Sequence, residues 1–310
     1  MEQVQSEAVS DVVPVRNLFL VSYLKPFLAM SKPTVSLLVV VTLIPAMVMA
    51  SEVGPSPLVV VAAVLGTFFA SASAGIFNHV VEMESDKLMH RTRQRPLPIG
   101  RVTRLTAALA ATILGLLSFV VLFFGAHPLA AWIALLANAF YVCVYTIFLK
   151  KRTVQNIVIG GAAGAVGPLI GWAAVSGTLS VDAWLQFFLI FMWTPPHFWA
   201  LALKYKDDYA RANIPMLPVV YGDQVTRKQI AVYAVLMVPV VIAIMWISQS
   251  SLPAWILNLG LTLSFAWMSL RLFLSGENKL AMPVFHLSCF YLFVIFSVLT
   301  VDQILLGKFL

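Results

Sequence analysis

Charge is what this chain has least of. Asp, Glu, Lys and Arg make up 11% of its 310 residues, whereas a soluble domain uses roughly 25% to clothe its surface. With 61% apolar residues and a mean hydropathy of +0.92, its solvent is lipid rather than water. Cysteine is scarce too. Cys143 and Cys289 lie inside apolar runs and form no CxxC, which excludes a disulfide framework and reads as packing of two small hydrophobes. No glycine-rich nucleotide loop occurs, so a nicotinamide-type cofactor is not expected. The N-terminus carries Glu2, Glu7 and Asp11. It lacks the basic start and short apolar core of a secretory signal, and it is too acidic for a transit peptide.

What the chain does have is apolar runs of bilayer-spanning length. They predict nine transmembrane helices at about 34–51, 58–82, 103–124, 128–148, 154–175, 181–203, 229–248, 253–274 and 282–305. The expected architecture is an all-α polytopic membrane bundle over residues 31–310. Residues 1–30 are expected as a cytoplasmic tail followed by an interfacial amphipathic segment. The net charge of +7 points to orientation rather than to nucleic acid. With nine spans, every lysine and arginine except Lys308 falls on one side, and the positive-inside bias makes that side cytoplasmic. A bacterial inner membrane is the expected location.

Span 2 ends in the first chemically loaded segment. Asn78, Glu82 and Asp86 are spaced i, i+4, i+8 and share one helical face. Intramembrane carboxylates are costly, and three oxygen-bearing side chains in a row suit Mg²⁺, which takes a few carboxylates and completes its shell with substrate phosphate. Glu84 points off this face and reads as solvated. Arg91, Arg93 and Arg95 follow, and guanidinium forks match phosphate oxygens. Carboxylates for metal beside arginines for phosphate describe a diphosphate site. The plainer alternative is a positive-inside loop after a frayed acidic helix end.

Span 6 leads into a second such segment. Asp207 and Asp208 emerge on the same membrane side as the first stripe, with Lys204 and Lys206 beside them. Helical spacing pairs Lys204 with Asp208 and Asp207 with Arg211. This reads either as the second half of a diphosphate clamp or as ordinary ion pairing. Span 4 brings Tyr141 and Tyr145 to the same end, followed by Lys150, Lys151 and Arg152, a candidate third wall or a set of membrane anchors. Gly160, Gly161 and Gly164 read as helix-packing residues. His197 lies among Trp193, Phe198 and Trp199, suited to a flat substrate or to packing. His79 and His90 flank the acidic stripe, whereas His127 and His286 read as structural or interfacial.

The string Asn78-x-x-x-Glu82-x-x-x-Asp86 resembles the N-x-x-x-D-x-x-x-D motif of the UbiA-type intramembrane prenyltransferases. Other strings resemble the haem-farnesylating (haem O synthase) branch of that family. They are Met89-x-Arg-Thr-x-x-Arg-Pro-Leu, Trp193-Thr-Pro-Pro-His-Phe-Trp, Ile214-Pro-Met-Leu-Pro and Lys150-x-Arg-x-x-x-Asn156. The resemblance runs from about Lys32 to Pro218 in motifs and departs from the family pattern twice. Glu82 stands where Asp is usual. Lys204-x-x-x-Asp208 replaces a full second D-x-x-x-D, which leaves the number of Mg²⁺ ions open.

The resemblance implies farnesyl diphosphate and haem b as substrates. Mg²⁺ would sit on Asn78, Glu82, Asp86 and Asp208, with Asp207 completing the catalytic acids. Diphosphate would be held by Arg91, Arg95, Lys150, Arg152, Lys204, Lys206 and Tyr145, and haem by His197, His79 and Trp193. It also implies hand-over of product to haem A synthase or to terminal oxidase assembly. The alternatives are a related prenyltransferase with another aromatic or porphyrin acceptor, a transporter, and an oxidase assembly factor. A transporter would carry its acids near span midpoints, not at cytoplasmic helix ends.

Overall fold

The computed structural model describes residues 24–51 and 53–306. The expected N-terminal tail therefore lies outside the described residues up to position 23, as does Lys308. Every regular element among the described residues is helical. They are α1 (Leu24–Met30), α2 (Pro33–Met49), α3 (Pro57–Leu88), α4 (Arg104–Gly125), α5 (Pro128–Leu149), α6 (Asn156–Gly164), α7 (Gly167–Ser176), α8 (Val181–Lys204), α9 (Lys206–Arg211), α10 (Leu217–Val220), α11 (Gly222–Ile247), α12 (Leu252–Leu274) and α13 (Ala281–Leu305), with a short 3₁₀ turn at Asn278–Leu280.

Among the described residues, seven helices are long and apolar enough to cross a membrane, and α1 with α2 make an eighth if that pair, bent by 55°, counts as one span. The pair α6 and α7 forms one of the seven. The 24-residue α8 is not among them, because Gln186, Thr194, Pro195, Pro196 and His197 thin its apolar run. The chain is thus an all-helical membrane bundle.

Helix starts are set by local chemistry. Ser56, Thr103 and Ser180 each accept a hydrogen bond from the backbone N–H three residues on, which satisfies an otherwise orphaned helix donor. His127, expected as structural, does the same for α5: its Nδ1 accepts from Leu129 N–H at 3.1 Å.

Packing then follows from residue size. The buried residues of α4 are Ala107, Ala111, Ser118 and Leu122, one face turned to α3, while Leu105, Leu109, Ile113, Leu116 and Phe124 are exposed. That is the pattern of a helix with lipid on one side. Ser73 donates to the Ala111 carbonyl at 2.8 Å and Ser118 to the Gly66 carbonyl at 2.7 Å. Small residues let α3 and α4 approach closely enough for these bonds. Gly167 and Gly171 likewise seat α7 against the Val39 and Leu43 carbonyls of α2.

Cys143 and Cys289 depart from expectation, since both are exposed. They lie on faces that no other helix covers, where lipid tails are as apolar a neighbour as a protein core.

Candidate active site

Of the residues singled out above, Asn78, His79, Glu82, Arg91, Arg95, Tyr141, Tyr145, Lys150 and His197 line one chamber of about 600 Å³, and the fully buried Asp86 borders it only through its partner Arg95. The acidic stripe lies on the last three turns of α3, with Asn78 1%, Glu82 5% and Asp86 0% exposed. Each member carries a cationic partner. Lys32 donates to Asn78 Oδ1 at 2.6 Å, Lys150 pairs with Glu82, and Arg95 Nη1 reaches both Asp86 oxygens at 2.9 and 2.8 Å. Asn78 Nδ2 in turn donates to Glu82 Oε1 at 2.7 Å and to Thr146 Oγ1 at 3.3 Å. Burial disfavours the Lys150 ammonium, but the facing Glu82 carboxylate outweighs it and holds the lysine above its ordinary pKa. Glu84 is exposed and pairs with Lys87 and Arg104, as the off-face position predicts.

The α5 wall owes its shape to a change of helical pitch. Phe140–Leu149 is wound as a π-helix, and Lys150 N–H bonds the Tyr145 carbonyl at 2.9 Å. Tyr141 and Tyr145 end up with ring centroids 5.1 Å apart, and both line the chamber beside Lys150. Such widened turns are frequent at functional sites. Gly160 of α6 is the seat of Tyr145, whose ring occupies the space a Cβ would need.

The third wall is α8. His197 is stacked between Trp193, at 4.3 Å between ring centroids, and Phe285, at 4.7 Å. Its Nδ1 shares a 2.7 Å hydrogen bond with Ser288 Oγ. It lines both the chamber and an adjoining, mainly apolar cavity of about 190 Å³, which Trp193 also lines. Trp193 is fixed by its Nε1 hydrogen bond to the Ser288 carbonyl, 2.9 Å. His79 is buried at the chamber edge with its Nδ1 unpartnered, whereas His90 and His286 are exposed.

The second acidic segment is arranged differently from the helical-spacing expectation. The helix breaks at Tyr205, so Lys204 and Asp208 do not share a continuous face. Asp208 is buried and pairs with Arg211, three residues on. Asp207 is exposed. Lys206 reaches Asp223 at 2.8 Å, and Asp223 also accepts from Asn278 at 2.7 Å. Arg152 lies over the Phe148 ring at 4.6 Å. Asp207, Asp208, Lys204, Lys206 and Arg152 are not among the chamber's lining residues. In their place the α8–α9 corner contributes Tyr209, which also accepts from Arg91 at 3.5 Å.

Sequence reasoning missed Lys32, Tyr209, Phe285 and Ser288 as site residues. Lys32 reads as one more membrane anchor. Its distinguishing mark is conformational, a left-handed backbone with φ 50° and ψ 59°. That conformation is uncommon outside glycine, and such backbone positions cluster at functional sites.

The donor set suits a hard cation. Asn78, Glu82 and Asp86 offer oxygens only, and Lys32 and Lys150 place ammonium groups against two of them, where a divalent ion would sit. Among the described residues no three His, Cys, Asp or Glu side chains converge as a metal cage. A metal on this stripe would thus draw the rest of its shell from water and substrate, the usual habit of Mg²⁺.

The chain is 42% identical to a protein of Gloeobacter violaceus named protoheme IX farnesyltransferase, covering 91% of this chain and 93% of that one. It is 41% identical to a protein of the same name from Nitrosococcus oceani, covering 92% and 95%. Among solved structures, it superimposes on a UbiA homolog from Archaeoglobus fulgidus bound to DMAPP and Mg²⁺ with a TM-score of 0.66 at 18% identity, covering 89% of this chain and 99% of that one. The corresponding values for a digeranylgeranylglyceryl phosphate synthase are 0.75, 17%, 91% and 99%. The UbiA prenyltransferase family model matches residues 39–295. A family model that spans residues 39–295 and relatives 41–42% identical over nine-tenths of the chain make this chain a member of the UbiA prenyltransferase family.

Proposed function

We propose that this protein transfers the farnesyl group of farnesyl diphosphate to a vinyl group of haem b. The observation that carries the reading is the buried Asn78–Glu82–Asp86 stripe, each member bonded to a cation, with Asn78, Glu82 and all three cations lining one chamber. The relatives' shared name supplies the acceptor.

The diphosphate would enter between the stripe and Lys32, Lys150 and Arg95, with Asn78, Glu82 and Asp86 as the residues that hold Mg²⁺. An ion held there would supply charge neutralisation for the leaving diphosphate. Lys32, Lys150 and Arg95 would turn to the diphosphate oxygens and stabilise charge as the C–O bond breaks. The apolar cavity behind Tyr145 and His197 takes the isoprenoid tail and keeps water from the allylic cation. The vinyl carbon of haem captures that cation, and water adds to the adjacent carbon with loss of a proton. The products are a hydroxyethylfarnesyl haem and diphosphate.

The bundle crosses the membrane nine times in this reading, with the bent α1–α2 pair as the first span and α8 as the sixth. The catalytic domain comprises residues 31–310 in the same reading, and the chamber opens toward the cytoplasm.

The test is conversion of haem b by purified protein supplied with farnesyl diphosphate and Mg²⁺, followed by chromatography and mass. A product heavier by farnesyl plus water supports the reading. Folded protein that makes none overturns the haem assignment, and aromatic acceptors are then screened.

A further inference from the structure

The reaction proposed above brings two kinds of anion into one chamber: the donor's diphosphate and the carboxylates on the rim of haem b. Four cationic side chains line that chamber, Lys32, Arg91, Arg95 and Lys150. Three are bonded to the α3 stripe, on Asn78, Asp86 and Glu82. Arg91 stands apart. Its guanidinium lies 5.1 Å from the centre of the Tyr205 ring and donates to the Tyr209 hydroxyl at 3.5 Å. No ion pair joins it to an acid among the described residues.

Arg91, between α3 and α4, sits at the C-terminal end of α8, and that gives this a direction. His197 and Leu201 are i and i+4 on α8, and Tyr205 caps the helix at i+8 with its N–H still bonded to the Leu201 carbonyl at 3.2 Å, so a helical rise separates the first from the last by about 12 Å. His197 and Leu201 line the chamber, and Tyr205 carries Arg91 at the end of the lane. At the other end the His197 ring is one layer of a Trp193–His197–Phe285 stack. A flat macrocycle lying along this lane, with its body against the aromatic end, places its carboxylate rim at Arg91.

We propose that Arg91, steadied by Tyr205 and Tyr209, binds a carboxylate of the acceptor, and that the diphosphate is left to Lys32, Lys150 and Arg95. A guanidinium fork takes a carboxylate in two parallel hydrogen bonds, which fixes orientation as well as affinity. Arg91 then selects carboxylated tetrapyrroles and sets which edge of the ring faces the donor. The inference rests on the farnesyl-transfer reading for its acceptor, but it is tested by binding.

Purified protein in nanodiscs is titrated with haem b in the absence of farnesyl diphosphate, following the Soret band, and KM is then measured for both substrates. Arg91→Gln is expected to weaken haem b by about ten- to a hundredfold while KM for farnesyl diphosphate is unchanged, and Arg91→Lys is expected to fall between. Haem dimethyl ester, with its carboxylates masked, is expected to bind wild type and Arg91→Gln equally weakly. A raised KM for farnesyl diphosphate with unchanged haem affinity would overturn the proposal and assign Arg91 to the diphosphate. Equal losses for haem b and its ester on substitution would make Arg91 a structural prop instead. Wild type that binds haem b in this pattern yet makes no product would condemn the farnesyl-transfer reading alone. Wild type that does not bind haem b overturns both.

Discussion

The ammonium of Lys32 lies 2.6 Å from Asn78 Oδ1, across 46 residues of chain and from a backbone position with φ 50°. The kink between α1 and α2 thus delivers a cation into the acid stripe of α3. Its hydrogen bond reaches the one neutral member of that stripe, so the stripe, as folded, is bonded to a cation at every position.

Lys32→Met is therefore expected to raise KM for farnesyl diphosphate by about ten- to a hundredfold, the worth of a charge-assisted hydrogen bond, with haem b affinity unchanged. Steady-state kinetics with each substrate varied in turn checks this. An equal rise for both substrates would show that the kink itself had collapsed.

Glu82→Gln keeps the shape of the side chain but removes the charge facing Lys150. Product formation is expected to fall by about 10²–10³, the usual cost of losing one preorganised electrostatic contact. Glu82→Asp restores the charge with a shorter arm and is expected to retain most of the rate. Single-turnover assays over a Mg²⁺ titration separate the two variants, because only Glu82→Gln loses the negative charge proposed to hold the metal.

Gly160→Ala puts a methyl group where the Tyr145 ring lies. Overpacking of this kind costs about 1–3 kcal/mol, and the displaced ring moves toward Lys150 and the chamber. Thermal unfolding in detergent and activity are both expected to drop. Adding Tyr145→Ala to Gly160→Ala is expected to cost less than the sum of the two single changes, because the clash is gone, while activity stays lost.

Asp302 provides a contrast. It is 6% exposed and accepts from Ser251 N–H at 3.3 and 3.2 Å as well as from the Ser251 hydroxyl, at the residue that starts α12. Asp302→Asn is expected to cost about 1–2 kcal/mol, as the loss of a helix cap does, with KM for both substrates unchanged. A fall in kcat at equal stability would give this acid a part in the chemistry.

How far local sequence carries depends on what each feature needs. Seven of the nine expected spans were readable because twenty or so apolar residues in lipid have few alternatives to a helix. The expected run at 128–148 is found as Pro128–Leu149, and that at 253–274 as Leu252–Leu274. The Asn78, Glu82 and Asp86 stripe was readable for a related reason, since i, i+4, i+8 on an unbroken helix fixes a face regardless of neighbours. The Lys204–Asp208 pairing was not readable. It presumed a helix that continues through Tyr205, whereas Lys206 is drawn away by Asp223 and Asp208 is taken by Arg211.

The sequence by itself determined that this chain lives in lipid, that its regular structure is helical, and that one helix end carries three oxygen-bearing side chains on one face beside arginines. Those are consequences of composition and of a 3.6-residue period. Only the tertiary structure decided which cation meets which acid. Lys32 and Lys150 come from opposite ends of separate helices, Arg91 faces tyrosines instead of the stripe, and His197 is locked by a serine 91 residues away. Side chains brought together across such separations are selected by helix packing, and packing depends on small residues such as Gly160 and Gly167 whose partners no local pattern names.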